Sequence, residues 1–252
     1  MQKMLQRADA IVVATEGHIK HSAYLGPYKE KCVVIPYGVD HAIEDAADRY
    51  TENKVAEQII DIASPKEKKR YPSFLFVGRL VYYKGCDVLL KAFAKAKDAE
   101  LVIVGSGALE EECHRLAENL GIQERVRFMG EVSEQELQRH MAECDVFVLP
   151  SVAKSEAFGI VQIEAMAYGK PVINTNLPSG APYVSIHGET GLTVEPGNAE
   201  QLAEAMQWMA EHKEERFAMG RKARERMKTE YRQEVMTTRV LKLYREVTKE
   251  TY

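Results

Sequence analysis

Phe74-Leu75-Phe76-Val77-Gly78-Arg79-Leu80-Val81-Tyr82-Tyr83-Lys84-Gly85 decides the fold. Four consecutive apolar residues leave the segment no polar face, so it reads as a strand covered on both sides, as in a parallel sheet. The strand stops at a glycine, and a second glycine opens the next helix. The same design recurs outward from it. Leu101–Val104, Val126–Met129, Val146–Leu149 and Val172-Ile173 are short apolar runs, each separated from the next by room for a helix. The intervening helices carry end signals. Ser133-Glu134-Gln135-Glu136 is a capping box with Leu137 and Met141 four apart behind it. The stretch from Ala108 stops at Gly121, and Asn198 caps a helix carrying Leu202, Met206 and Met209. Strand and helix alternating with right-handed crossovers predict a doubly wound, Rossmann-like α/β parallel sheet from about residue 72 to about residue 212.

Composition narrows the function classes. The 252 residues hold 34 Lys and Arg against 38 Asp and Glu, a net charge of −4, with 45% apolar and 29% charged residues. This is ordinary globular composition, and the mild acidity argues against a nucleic-acid binder driven by phosphate neutralisation. No uncharged apolar run of about 18 residues is present to span a membrane, and the start of the chain has no apolar signal segment. Cys32, Cys86, Cys113 and Cys144 are far apart, without metal-ligand spacing, and read as reduced thiols of a cytoplasmic protein.

Four regions follow. Residues 1–40 hold two further strand-like runs, Ile11–Val13 and Cys32–Ile35, which cannot make a domain alone and look like the tail of another sheet. Residues 41–72 read as a charged connector with a short amphipathic stretch (Val55, Ile59, Ile60, Ile62) followed by Ser64–Arg70. Residues 73–212 are the Rossmann-like domain and 213–252 are C-terminal helices. There Met236, Val240, Leu243, Tyr244 and Val247 share one face opposite a basic one. Packing on the protein itself is favoured over contact with anionic lipid, because acidic residues interleave with the basic ones.

Ligands of open α/β sheets bind beyond the carboxyl ends of the strands. After the first strand, Arg79 and Lys84 stand five apart on a glycine-bounded loop and can converge on one anion; read alone they are equally a pair of solvated cations. Gly105-Ser106-Gly107 lacks the full dinucleotide fingerprint, and a structural tight turn is favoured there over a phosphate loop. After the fourth strand, Glu156 lies in a loop and Glu164 in the helix that begins near Gly159. The free N–H groups of Phe158, Gly159 and Ile160 at that helix start favour a phosphate. Were 156–164 all helix, the carboxylates would stand about 12 Å apart, too far for a glycosidase pair, so two binding roles fit better. Singly, each is more often a surface acid.

Taken together, Gly78-Arg79-Leu80 with Lys84-Gly85, Glu156 and Glu164 eight apart around Phe158-Gly159, and Gly169-Lys170-Pro171-Val172 resemble the donor-binding domain of glycosyltransferase family 4, retaining enzymes built of two Rossmann-like domains (the GT-B architecture). Ile35-Pro36-Tyr37-Gly38-Val39-Asp40 is similar to the family's inter-domain junction, and the resemblance covers about residues 9–230. The loop Leu177–Ser185 and His187–Gly191 looks like rhamnosyl- and mannosyltransferases.

The resemblance implies that Arg79 and Lys84 neutralise the donor diphosphate, beside the Gly78 backbone, and stabilise the leaving nucleotide. It gives Glu164 the ribose hydroxyls and Glu156 hydroxyls of the donor sugar. Phe158, Gly159 and Ile160 would orient sugar and phosphate, and the stretch Met129 to Val132 would lie where the base stacks. Catalytic roles thus fall to Arg79, Lys84 and Glu156, with retention by front-face displacement. No D-x-D is present, in keeping with metal-independent chemistry. No cofactor is implied beyond a nucleotide-diphospho-sugar substrate, GDP-linked by the mannosyl resemblance. A glycan or lipid-linked acceptor of polysaccharide biosynthesis is the second substrate, and membrane contact is at most peripheral, at the inner face. Only the last pieces of the family's N-terminal acceptor domain are recognisable, so a separate acceptor-domain partner is one expectation. A nucleotide-sugar-binding module without turnover, or a truncated product, are the others.

Overall fold

The computed structural model describes residues 2–61 and 71–248. The chain begins with α1 (Gln2–Arg7), β1 (Ile11–Val13), α2 (Glu16–His21) and β2 (Cys32–Val34), followed by α3 (His41–Asp61). Then β3 (Ser73–Val77), α4 (Cys86–Phe93), β4 (Glu100–Val104), α5 (Glu110–Asn119), β5 (Val126–Gly130), α6 (Glu134–Glu143), β6 (Val146–Val148), α7 (Ile160–Ala167), β7 (Val172–Thr175) and β8 (Gly191–Val194) follow in strict alternation until β8. Three helices close the chain, α8 (Ala199–Glu211), α9 (Lys213–Glu230) and α10 (Gln233–Thr248).

Strands β3–β8 form one six-stranded sheet in the order β5-β4-β3-β6-β7-β8, every pair parallel. Counted within this sheet the order is 3-2-1-4-5-6, the doubly wound arrangement expected from the sequence. Side chains alternate between two cores. Phe74, Phe76, Leu101, Ile103, Val146 and Val148 face the helices α4, α5 and α8, while Leu75, Val102, Val104, Phe147 and Leu149 face α3, α6, α7 and α9. Being covered on both faces is why these runs carry no polar residue. Phe147 is fully buried, and truncation to alanine there costs about 3–5 kcal/mol.

The predicted helix ends are present. Ser133 Oγ accepts from the Glu136 N–H at 3.3 Å and the Glu136 carboxylate accepts from the Ser133 N–H at 3.0 Å. Asn198 Oδ1 accepts from the Gln201 N–H at 3.1 Å. Strand β8 is an addition to the sequence reading. It pairs with β7 from Gly191 to Val194, and its first residue can only be glycine, because a Cβ at Gly191 would stand 1.8 Å from the Val172 carbonyl oxygen.

Strands β1 and β2 pair in parallel as a separate two-stranded sheet. Lys31 Nζ donates to the carbonyls of Gln6 and Ala8 at 2.9 and 2.7 Å, closing the end of α1. The connector holds α3, whose Ala47 is buried and whose Ile43, Ala46 and Tyr50 pack on the core beside α6 and α7. The side chains of Val55, Ile59, Ile60 and Ile62, and the run 64–70, lie outside the described residues. The C-terminal stretch breaks at Tyr231-Arg232, where the Val39 N–H donates to the Tyr231 carbonyl at 2.7 Å. From there α10 runs back to the first segment, with Val240, Leu243, Tyr244 and Val247 turned toward Ala8–Val12. No described helix is long and apolar enough to cross a membrane. All four cysteines are free thiols; Cys86, Cys113 and Cys144 are buried and Cys32 is half-buried.

Candidate active site

The strand order reverses between β3 and β6, and the crevice beyond their carboxyl ends is where such sheets bind ligands. The loop after β3 is welded to the loop after β6. Val152 N–H donates to the Tyr83 carbonyl at 2.8 Å, and Gly85, at φ +69°, lies so near Pro150 that a Cβ would come within 2.2 Å of its carbonyl oxygen. The short 3₁₀ turn Tyr82–Lys84 therefore hangs over the crevice, and the Lys84 stem passes above Gly78.

Lys84 Nζ meets Glu156 Oε2 at 2.6 Å, with side chains only 13% and 9% exposed. Ser151, fully buried, donates its hydroxyl to the same carboxylate oxygen at 2.9 Å. The Ser151 carbonyl in turn accepts from Thr175 Oγ1 at 2.6 Å. Glu156 is thus fixed from two sides. Its Oε1 makes no hydrogen bond among the described residues.

Helix α7 starts at Ile160 behind Gly159, whose φ of +73° turns the chain from loop into helix. Among the described residues the N–H groups of Phe158, Gly159 and Ile160 make no backbone hydrogen bond, so they stand open at the positive end of the helix. Phe158 is buried, with the edges of Tyr37 and Tyr231 against it at ring separations of 5.1 and 6.1 Å. Gln162 holds the turn from behind. Its Nε2 donates to the carbonyls of Phe158 and Ala181 at 3.0 and 3.2 Å, and its Oε1 accepts from Asn174 Nδ2 at 3.0 Å. Asn174 Oδ1 accepts from Thr193 Oγ1 at 2.8 Å. Every polar atom of this buried chain from β8 to the helix start has a partner, which is what makes such a network rigid rather than costly.

The remaining predicted residues lie on α7, at the end of β5 and in the loop after β3. Glu164, one turn into α7, is half-buried without an ion pair among the described residues, and burial raises its carboxyl above the usual range. Met129 is exposed near the end of β5, and Val132 is partly buried against the core. Arg79 is exposed, and no ion pair holds it among the described residues. The structure therefore joins Lys84 to Glu156 and leaves Arg79 unpaired. Gly105-Ser106-Gly107 is the structural turn favoured by the sequence. The Leu80 N–H donates to the Ser106 carbonyl at 2.8 Å, the Leu109 N–H to the Leu80 carbonyl at 2.9 Å, and a Cβ at Gly107 would strike the Leu80 backbone at 2.5 Å.

Ser151, Gln162, Asn174 and Thr175 escaped the sequence reading. Their signal is a polar residue inside an apolar run, at a position that must be buried. Away from the crevice, His41, Glu44 and Glu234 bring possible metal-ligand atoms within 4.8 Å of one another. Arg232 Nε, 2.7 Å from Glu44 Oε1, already supplies positive charge there.

Comparison with known proteins bears on the family and the fold. The sequence model of the family described as glycosyl transferases group 1 matches residues 57–226. The D-rhamnosyltransferase WbpZ of Pseudomonas aeruginosa is 38% identical over 226 residues, covering 90% of this chain and 56% of its own length. The O-antigen chain mannosyltransferase C of Escherichia coli is 29% identical over 244 residues, 96% of this chain and 62% of its own. Among solved structures, a glycosyltransferase from Rickettsia africae superposes with a TM-score of 0.77 at 26% identity, over 96% of this chain and 64% of that one. Anabaena HepE in complex with UDP gives 0.77 at 22% identity, over 95% and 64%, a likeness of fold. The chain spans a little over half the length of the relatives it matches.

Proposed function

Since the chain belongs to the group 1 glycosyl transferases, we propose that it provides the donor half of a retaining hexosyltransferase. On this reading a mannosyl or rhamnosyl group passes from a nucleotide sugar, GDP-linked, to a glycan or lipid-linked acceptor in polysaccharide assembly. The observation that carries the reading is the meeting of Lys84, Glu156 and the open N–H groups of Phe158–Ile160 at the reversal of strand order. The mannosyl and rhamnosyl names of the relatives support the sugar. A relative in Mycobacterium tuberculosis named as GDP-mannose-dependent, 32% identical over 220 residues, supports the base.

The chemistry follows from where charge develops. Breaking the bond from the sugar C1 to the phosphate oxygen leaves negative charge on the diphosphate. The Arg79 guanidinium, the Lys84 ammonium and the α7 start stabilise it more in the transition state than before it. The acceptor hydroxyl attacks from the face the phosphate leaves, and that phosphate takes its proton, so configuration at C1 is kept. Glu156 Oε1 accepts from a donor-sugar hydroxyl, and Glu164 accepts from the ribose hydroxyls. Calorimetric titration of the 252-residue chain with GDP, UDP and ADP, and then with their sugar nucleotides, tests the reading. Saturable, GDP-preferring binding lost in Arg79→Ala and Lys84→Ala is the expected result; affinity that survives both changes removes the phosphate clamp.

A further inference from the structure

The chain joins the β1–β2 segment to the six-stranded body at Val39 and again at Tyr231, and each junction is followed at once by a helix start, that of α3 and that of α10. His41 is the first residue of α3 and Glu44 stands three further on, so the two side chains share one face. Glu234, in the first turn of α10, meets them there. One ligand atom from each of the three lies within 4.8 Å of the others.

Glu44 is only 3% exposed, yet neither of its carboxylate oxygens accepts a hydrogen bond among the described residues. Arg232 Nε is 2.7 Å from Glu44 Oε1 and 3.6 Å from Glu234 Oε2, but its N–H makes no hydrogen bond either. The arginine therefore supplies charge without a directed bond, and buried carboxylates are held by directed donors or by a metal. The nearest other acid is already used: Asp40 Oδ1 accepts from the Ala42 N–H at 2.8 Å.

The spacing of the other two groups suits a small cation. His41 Nδ1 and Glu234 Oε1 are 3.3 Å apart. Tetrahedral zinc, with bonds of about 2.0–2.1 Å to nitrogen and oxygen, sets neighbouring ligand atoms about 3.3 Å apart. Both side chains are half-exposed, at 52% and 54%, and are free to turn toward Glu44. One imidazole with two carboxylates is a zinc set, since calcium takes six to eight oxygens and magnesium keeps its waters.

We propose that His41 Nδ1, Glu44 and Glu234 bind one zinc ion, with water in the fourth position and Arg232 turned out to solvent. The ion would tie the start of α10, which runs back to Ala8–Val12, to the start of α3, which packs on the six-stranded body. It is a structural clamp at the junction, away from the crevice, and it stands or falls without the donor-half reading.

The test is calorimetric titration of the EDTA-treated 252-residue chain with zinc chloride. One saturable site is expected, with affinity falling about a hundredfold in His41→Ala and in Glu234→Gln, the upper end of what a lost supporting group costs a metal site. Both positions are half-exposed, so neither change threatens the fold. Arg232→Gln should bind zinc about tenfold more tightly, because a competing positive charge is gone. Zinc should also raise the melting temperature of the parent and not that of His41→Ala. Absence of saturable binding overturns the proposal. So does affinity that persists in both His41→Ala and Glu234→Gln, as it would for zinc held by other histidines or by cysteines, and so does affinity unchanged in Arg232→Gln.

Discussion

Lys84 Nζ and Glu156 Oε2 meet at 2.6 Å although 72 residues separate them in sequence. A lysine side chain carries about 2 kcal/mol of rotamer entropy. Here most of it is already lost, because Glu156 holds the ammonium over the crevice. On the proposed function, an arriving diphosphate would meet a cation that is in place.

The pair and its exposed neighbour should therefore respond differently to substitution. Lys84→Ala leaves a mostly buried carboxylate with only the Ser151 hydroxyl, and should cost about 3 kcal/mol in urea denaturation. Lys84→Met combined with Glu156→Gln should recover much of that loss. Arg79→Ala, with no ion pair to break, should change stability by less than about 0.5 kcal/mol. Both Lys84→Ala and Arg79→Ala should weaken GDP binding by about tenfold or more, the worth of a charge-assisted bond.

Glu164→Gln should separate a cost to stability from a gain in binding. Burial raises the Glu164 carboxyl above its unperturbed 4.5. The unfolded chain therefore loses this proton first, and stability falls as pH rises from about 4.5 through the raised folded value. At neutral pH the glutamine variant should melt higher than the parent, and the difference should vanish below the unfolded value. The same variant should bind GDP more weakly yet bind inorganic pyrophosphate as before. Equal loss for both would place Glu164 elsewhere than at the ribose.

Gln162→Leu removes the donor shared by Phe158 and Ala181 and the acceptor of Asn174. Orphaned buried groups cost about 1–3 kcal/mol each, and part of that relaxes, so a loss of about 3 kcal/mol in denaturation is expected. Pyrophosphate affinity should fall too, because the α7 start loses its support. Undisturbed affinity in a destabilised variant would make the network purely structural.

Gly85→Ala combines a strained φ with a 2.2 Å approach to the Pro150 carbonyl oxygen. The variant should displace the 82–84 turn, lower the melting temperature and abolish nucleotide binding even though Lys84 is retained. Calorimetry alongside the melt checks both effects.

How far this could be read beforehand depends on the range of the forces involved. Four of the apolar runs from Phe74 to Ile173 became strands because burial on both faces demands a continuous apolar run, which is written locally, while the edge strand β5 alternates buried and exposed residues about Arg127. Ser133 and Asn198 were legible for the same reason, since a cap and its helix are three residues apart. Strand β8 was not, because Gly-Leu-Thr-Val is too short and mixed to declare itself, and its place is set by the Val172 backbone. In the site, the strand-end rule pointed to the loops after β3 and β6, and the structure joins Lys84 of the one to Glu156 of the other. The choice of partners was hidden: that Lys84 takes Glu156 depends on two loops meeting in space. Helix α3 hid behind small side chains, Ala46 and Ala47, which suit close packing but give little periodic contrast.

The two places where the chain passes between the β1–β2 segment and the six-stranded body lie side by side. Val39 N–H is bonded to the Tyr231 carbonyl, and a Cβ on Gly38 would come within 2.6 Å of Gln233 Cα. Two straps fastened at one point permit tilting about that point and resist sliding. Displacement then grows with distance from the fastening, so a tilt that is slight at Val39 is magnified at α2, and the width of the gap between α2 and the Pro178–Gly180 turn becomes a lever arm's readout of the crossing.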